Sequence, residues 1–290
     1  MNAIQRLISP QASDVGFPVQ RLLPAAEIQS VGPFVFFDHM GPALFTREGT
    51  TGDVRPHPHI GLATVTYLYS GAMMHRDSLG YVQRIEPGAI NLMAAGRGIV
   101  HSERVPADIR ADQIPVHGIQ IWLALPAEHE EMPPAFHHYP ATALPAFEAE
   151  GLSLRLLIGA AFDLISPVIA YSPTFQADIE LAAGAEWELP PVYPERGMYL
   201  AAGRLRVAGI PIEPGHLAVL TPGRPVRLEA ETAARLMVLG GEPLDGRRFI
   251  YWNFVARSRE RIEVAKADWA AGRFMPVPGE TESIPPPWRS

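Results

Sequence analysis

The chain carries a faded copy of itself. The segment "TYLYSG" at residues 66–71 returns as "MYLAAG" at 198–203, and "IEPGAINLMAAGRGIV" at 85–100 returns as "IEPGHLAVLTPGRPVR" at 212–227. The first pair is offset by 132 positions and the second by 127, so the hairpin between them is five residues shorter in the second copy. Two ordered matches at nearly equal offset mark a duplicated unit, and 290 residues suffice for two domains of ordinary size. Within the copies the apolar residues alternate, as in "TVTYLYSG" (64–71), "GIQIWLALP" (118–126) and "LSLRLLIG" (152–159). Period two over about eight residues indicates half-buried strands. The 30 prolines, about twice the usual ~5%, punctuate short apolar runs rather than forming a tract, which predicts many short strands joined by turns.

Each unit is therefore expected to be a small all-β barrel or jelly roll, an architecture that shelters strand edges. One continuous sandwich whose Gly-Pro turns look alike is the competing arrangement. Alternation lapses in "HHYPATALPAFEAEG" (137–151), which divides the chain into an N-terminal domain, 1–140, and a C-terminal domain, 141–290. Helical periodicity occurs once, in "ARSRERIEVAKADWAAGRF" (256–274). There Ile262, Ala265 and Trp269 share a face, Ser258 is placed to cap the N-terminus and Gly272 to stop the helix.

Composition narrows the chemistry. The net charge of -7 comes without any basic block, so direct electrostatic binding to nucleic acid is not expected. The absence of cysteine removes disulfides, thiolate nucleophiles and cysteine-ligated zinc or iron–sulfur centres. The start, "MNAIQRLISPQ", lacks the apolar core of a signal peptide, and no apolar run approaches the ~18 residues of a membrane span. A cytoplasmic protein, away from membranes, is the expectation. No glycine-rich phosphate loop opens a helix, and no G-x-S-x-G elbow occurs.

What remains is a set of metal-type donors. In "RPHPHIG" (55–61), His57 and His59 are two apart and point to one face of a strand. In "GRGIVHSERVP" (96–106), His101 and Glu103 bear the same relation, while Ser102 points the other way. Three imidazoles and one carboxylate are a donor set for a divalent first-row metal. Extending the repeat offsets places Leu189 and Pro191 opposite His57 and His59, and Leu228 and Ala230 opposite His101 and Glu103. The four donors vanish together from the second copy, as one site would, and the C-terminal unit is expected to be metal-free. Pro56 and Pro58 stiffen the first pair and suit an edge strand. Gly96 and Gly98 allow a close approach before the second. The other histidines, His39, His75, His117, His129, His137, His138 and His216, are read as surface or structural residues. Asp38 and His39 are candidates to support the donors, and Gln120 and Trp122 share a face that could line a pocket. Fe(II), Mn(II), Ni(II) and Cu(II) all suit the donors, and Zn(II) is not excluded by them.

The motifs "FFDHMGP", "PHPHIG", "TVTYL", "HRDSLG", "AAGRGIVHSE", "HGIQIWLALP", "LGGEPL" and "DWAAGRF", in this order along nearly the whole chain, resemble the pirin family of the cupin superfamily. The resemblance implies two cupin barrels face to face, with iron in the N-terminal barrel only, and assigns His57, His59, His101 and Glu103 as its ligands. It also implies one of two activities. The first is a quercetin 2,3-dioxygenase-type reaction on a flavonol or similar enol aromatic, with Glu103 as the catalytic base. The second is a non-catalytic, metal-dependent regulatory role through a protein partner, a transcription factor or a metabolic enzyme. A monomer is expected. Two positions depart from the commoner family pattern "PHPHRGFET": Ile60 stands for its arginine and Ala63 for its glutamate. Glu103 is then the one obvious carboxylate of the motif.

Overall fold

The computed structural model describes residues 2–288. It is mostly β-strand. Its helices among those residues are α1 (Ala107–Ala111), α2 (Arg259–Ala270) and one 3-10 turn (Ala141–Ala143). Neither α-helix is long and apolar enough to cross a membrane. The two compact units are not the successive halves 1–140 and 141–290. One gathers the residues through Ala12, Gln20–His39 and Thr142–Pro243; the other gathers Ser13–Val19, Met40–Ala141 and Leu244 onward. The chain does pass from one unit to the other at Ala141/Thr142. Its ends, however, are exchanged.

The strand β1 (Ile4–Ile8) shows what the exchange achieves. The unit built on Met40–Ala141 has β2 (Val54–His59), β3 (Leu62–Ser70), β4 (Met73–Asp77), β5 (Val82–Ile85), β6 (Ile90–Ala94), β7 (Ile99–Arg104), β8 (Val116–Ala124) and β9 (Ala135–Tyr139). Here β9–β6–β3–β8 run side by side, and β2–β7–β4–β5 form a separate four-stranded sheet. The other unit repeats both with β10 (Glu186–Leu189), β11 (Glu195–Ala202), β12 (Leu205–Val207), β13 (Ile210–Ile212), β14 (Leu217–Leu220), β15 (Val226–Ala230) and β16 (Ala234–Gly241). Its corresponding orders are β1–β14–β11–β16 and β10–β15–β12–β13. Thus β1 stands beside β14 as β9 stands beside β6, and an edge that would expose unpaired backbone groups is covered by the start of the chain.

The registers agree with the repeat. Tyr67 lies opposite Ile90, and Tyr199 lies opposite Leu217, separations of 132 and 127 from their counterparts. One extrapolation is corrected. His57 is paired with His101 and His59 with Ile99, whereas Trp187 is paired with Leu228 and Leu189 with Val226. Trp187 and Leu189, not Leu189 and Pro191, therefore stand in the places of His57 and His59. The connection from β10 to β11 is longer than that from β2 to β3, so the offset changes within it. Leu189, Leu228 and Ala230 belong to the buried apolar core of that unit, with Trp187 packed against it.

Ser258 caps α2 as expected, accepting the Arg261 N–H at 3.1 Å, and Gly272 takes a φ of 67° just past its end. The helix buries Ile262 and Ala265 against Ile60, Phe254 and Ala256, with Trp269, Trp252 and Trp288 beside them. The α1 helix was not foreseen; five residues are too few to establish a helical period.

Candidate metal centre

The strand β2 is the edge of its four-stranded sheet, where Pro56 and Pro58 cost no ladder bond on the open side. It bulges against β7: His101 is opposite His57, but Glu103 is opposite Val54. The extra residue falls at Arg55–Pro56, where proline cannot donate to the ladder. The open edge is strapped by the C-terminal segment, in which the Ile284 N–H donates to the Pro56 carbonyl at 2.8 Å. On the outer face of β7, the Ser102 hydroxyl donates to Glu280 at 2.9 Å, and Arg104 pairs with the same carboxylate. Ser102 is thus turned away from the histidines, as its strand parity requires.

On the inner face the structure brings three imidazoles together. His57, His59 and His101 are all buried, and their donor atoms lie within 4.8 Å of one another. Ring centroids are 4.4 Å apart for His57–His101 and 5.0 Å for each of the other two pairs. The Nδ1–H of His57 donates to the Arg55 carbonyl at 2.8 Å, and that of His59 to the Asn253 carbonyl at 3.1 Å. Each of these rings is left with an Nε2 lone pair. The Nε2 atoms of His59 and His101 face each other at 3.1 Å. Two such lone pairs in a buried space beside a third imidazole, with the outer nitrogens of their rings anchored to carbonyls, suit the ligands of a metal cation. The donors fit such an ion.

Electrostatics points the same way. Burial is the largest influence on all three rings and disfavours their charged forms. It lowers the pKa of His57 to about 4, against a smaller opposing effect of the Arg55 carbonyl, with His75 adding to the depression. His59 and His101 lie well below the ordinary value, pushed further by neighbouring histidines. At neutral pH the rings are uncharged, so a metal need not displace protons from them. Glu103 is half-buried, and desolvation lifts its carboxyl to about 7. It follows His101 on β7 but is not part of the three-histidine group.

Other expected residues fall in different places. Trp122 on β8 meets His59 edge-on at 5.1 Å and walls the site. Gln120 accepts from the Thr66 hydroxyl at 2.9 Å. Asp38 is held by Arg21, and His39 accepts from the Tyr199 hydroxyl at 2.5 Å, in the other unit. His75, read from sequence as surface or structural, is buried and lies 3.4 Å from His101, Nδ1 to Nδ1. The signal was present: His75-Arg76-Asp77 is a third pair of ligand-type residues two apart on one strand face. Ile60 and Ala63, which depart from the commoner motif, are both buried. Ile60 packs under α2 with Phe254 and Ile262, away from polar chemistry.

Family models agree with this geometry. Residues 16–123 match the model described as Pirin, and residues 176–275 match that of the Pirin C-terminal cupin domain. The chain belongs to the pirin family. A pirin-like protein of Caulobacter vibrioides is 47% identical across 98% of this chain and 99% of its own. Human pirin is 30% identical across 89% and 88%. Among solved structures, a quercetin 2,3-dioxygenase from Acinetobacter baumannii superposes with a TM-score of 0.89 at 33% identity, covering 97% of this chain and 94% of that one. Two pirin cupin domains account for the paired four-stranded sheets, and the buried histidine group of the first can hold a metal.

Proposed function

We propose that this member of the pirin family is an iron(II)-dependent dioxygenase of the quercetin 2,3-dioxygenase type, acting on a flavonol or a similar enol aromatic. The observation that carries the reading is the convergence of three buried imidazoles, with Trp122 edge-on to His59 and Glu103 two residues beyond His101 on the same strand. Likeness to a solved quercetin 2,3-dioxygenase over almost the full chain supports it. His57, His59 and His101 hold the metal through Nε2, with Glu103 as the fourth ligand or as the base. When bound, iron(II) supplies Lewis acidity and redox capacity for the addition of dioxygen to an electron-rich enolate. Trp122 offers a flat apolar wall to a planar substrate and keeps water from the imidazoles. Glu103 takes the proton of the substrate enol; burial raises its carboxyl in the metal-free protein, and a carboxylate of raised basicity is suited to that task.

The test is direct. Protein loaded anaerobically with Fe(II) receives quercetin and then air, and loss of flavonol absorbance is followed beside His101→Ala. Turnover that disappears in the variant is expected. Loading of one metal per chain without turnover on quercetin or related enols would replace the enzyme by a metal-loaded binding module.

A further inference from the structure

A line of buried polar groups leaves His101 on the side away from the other two donors. Its far end is Asp77, fully buried on β4. The Asp77 Oδ1 accepts the backbone N–H groups of Leu79 at 2.9 Å and Tyr81 at 3.1 Å, and its Oδ2 lies 2.9 Å from His75 Nε2. The His75 ring is stacked on Phe136, with centroids 4.3 Å apart and planes 13° apart, so it is held against rotation. Its Nδ1 lies 3.4 Å from Nδ1 of His101. Asp77 accepts at both oxygens, so a His75 ring with a single proton carries it on Nε2 and keeps a lone pair on Nδ1. That lone pair is satisfied only when His101 carries its single proton on Nδ1. Nε2 of His101 is then a lone pair directed at the histidine group.

We propose that Asp77 and His75 form a carboxylate–imidazole relay that sets the tautomer of His101 and so makes it a metal donor. The inference rests on the reading of His57, His59 and His101 as metal ligands. The competing tautomer is at hand: with its proton on Nε2, His101 would donate to Nε2 of His59 across the same 3.1 Å. Two of the three donors would then be consumed in one hydrogen bond. The relay decides between an open site and a self-satisfied pair. Asp77 and His75 are positioning residues, since each acts through His101.

Asp77→Asn separates the two. The asparagine oxygen keeps the backbone N–H groups of Leu79 and Tyr81, but its amide now donates to His75 Nε2. This places the His75 proton on Nδ1 and drives the His101 proton to Nε2. The measurements are zinc(II) affinity by competition with a chelator, and imidazole nitrogen-15 spectra of the metal-free proteins, which report each tautomer. Asp77→Asn should bind zinc about 10- to 100-fold more weakly, with the His101 proton moved to Nε2. His75→Gln, whose amide can accept from His101 and donate to Asp77, should stay close to the parent, whereas His75→Phe should weaken as Asp77→Asn does. Melting curves identify any variant that fails to fold, and the contrast of His75→Gln with His75→Phe decides the matter if Asp77→Asn is such a one. Parental affinity in both Asp77→Asn and His75→Phe, or a His101 proton on Nε2 in the parent, would overturn the relay. A parent that binds zinc no better than His101→Ala would instead overturn the metal reading, and the tautomer spectra would still judge the relay.

Discussion

Acid should loosen the metal-free protein well before ordinary carboxylates titrate. The perturbation is a pH series on apoprotein, and its direction follows from four shifted groups. His57 falls from 6.5 to about 4 on folding, and His59 and His101 fall well below 6.5. In the unfolded chain each takes a proton near 6.5, which the folded chain refuses. Stability is therefore complete above about 6.5 and declines as pH falls, by about 1.4 kcal/mol per unit for each ring that stays neutral. Glu103 acts oppositely: raised from 4.5 to about 7, it favours the folded state most at low pH and loses that contribution as pH rises through 7. Between 4.5 and 6.5, His57 and Glu103 have opposite slopes and nearly cancel. The net slope is left to His59 and His101, about 2.7 kcal/mol per pH unit while both remain neutral. Against a typical margin of ~5–15 kcal/mol, the two units from 6.5 to 4.5 remove about 5 kcal/mol, which brings only a unit at the lower end of that margin to its midpoint. Urea unfolding of apoprotein at pH 7.5, 6.5, 5.5 and 5.0, followed by tryptophan emission, measures this. His101→Gln should lower the slope by about 1.4 kcal/mol per unit. A midpoint that is flat or rises from pH 6.5 to 5.0 would refute the reasoning. Bound metal should steepen the decline, since protons then compete for the ligands.

Other outcomes follow from single residues. Glu103→Gln should leave zinc affinity within a few-fold and reduce turnover if the carboxyl is a base; as a ligand, its loss should weaken metal binding by an order of magnitude or more, read by the same chelator competition. Gly96→Ala sets a Cβ 2.1 Å from the Met132 carbonyl at a φ of 50°, and should lower stability by about 1–3 kcal/mol in a thermal melt. Glu280→Ala leaves Ser102 and Arg104 without their shared acceptor and should cost about 1–3 kcal/mol, with faster hydrogen exchange at Ile284. Trp122→Ala should raise KM for a planar substrate more than it lowers zinc affinity, because the ring touches His59 without ligating.

The duplication made most of the fold legible. Matching offsets of 132 and 127 reappear in the pairing of Tyr67 with Ile90 and of Tyr199 with Leu217. What the pattern could not convey was which piece of chain completes each sheet. The strand Ile4–Ile8 reads like any short alternating strand, and its partner Leu217–Leu220 is chosen by an unpaired edge far along the chain. Loop length had the same effect locally: between β10 and β11 it shifts the equivalence by two residues, and so exchanges Pro191 for Trp187. At the site, strand parity alone aligned His57 with His59 and turned Ser102 outward. It also aligned His75 with Asp77, but a histidine far from the obvious motif carries no sign of its partner until the sheet places β4 beside β7.

The two units make the energetic meaning of the site explicit. Where one has Trp187, Leu189 and Leu228 in an apolar core, the other has three histidines whose burial penalises any charge on them. The same sheet order and hairpins tolerate both, so the histidines are not demanded by the fold. Replacing apolar side chains with imidazoles forgoes several kcal/mol of burial in a unit of this size. A bound cation offsets that loss by acting on the folded state alone. The open arrangement of donors is also not the one the apoprotein would choose unaided, because a His59–His101 hydrogen bond is the cheaper way to satisfy two buried nitrogens. For the group to accept a cation, something must hold the donors open beforehand. In this structure the carbonyls of Arg55 and Asn253 do so for His57 and His59, and His75 stands in the corresponding place behind His101. A ligand ring anchored by a carbonyl has its tautomer set by backbone alone; one anchored by an imidazole has it set by a second residue, here Asp77, whose substitution can close the site without touching a ligand.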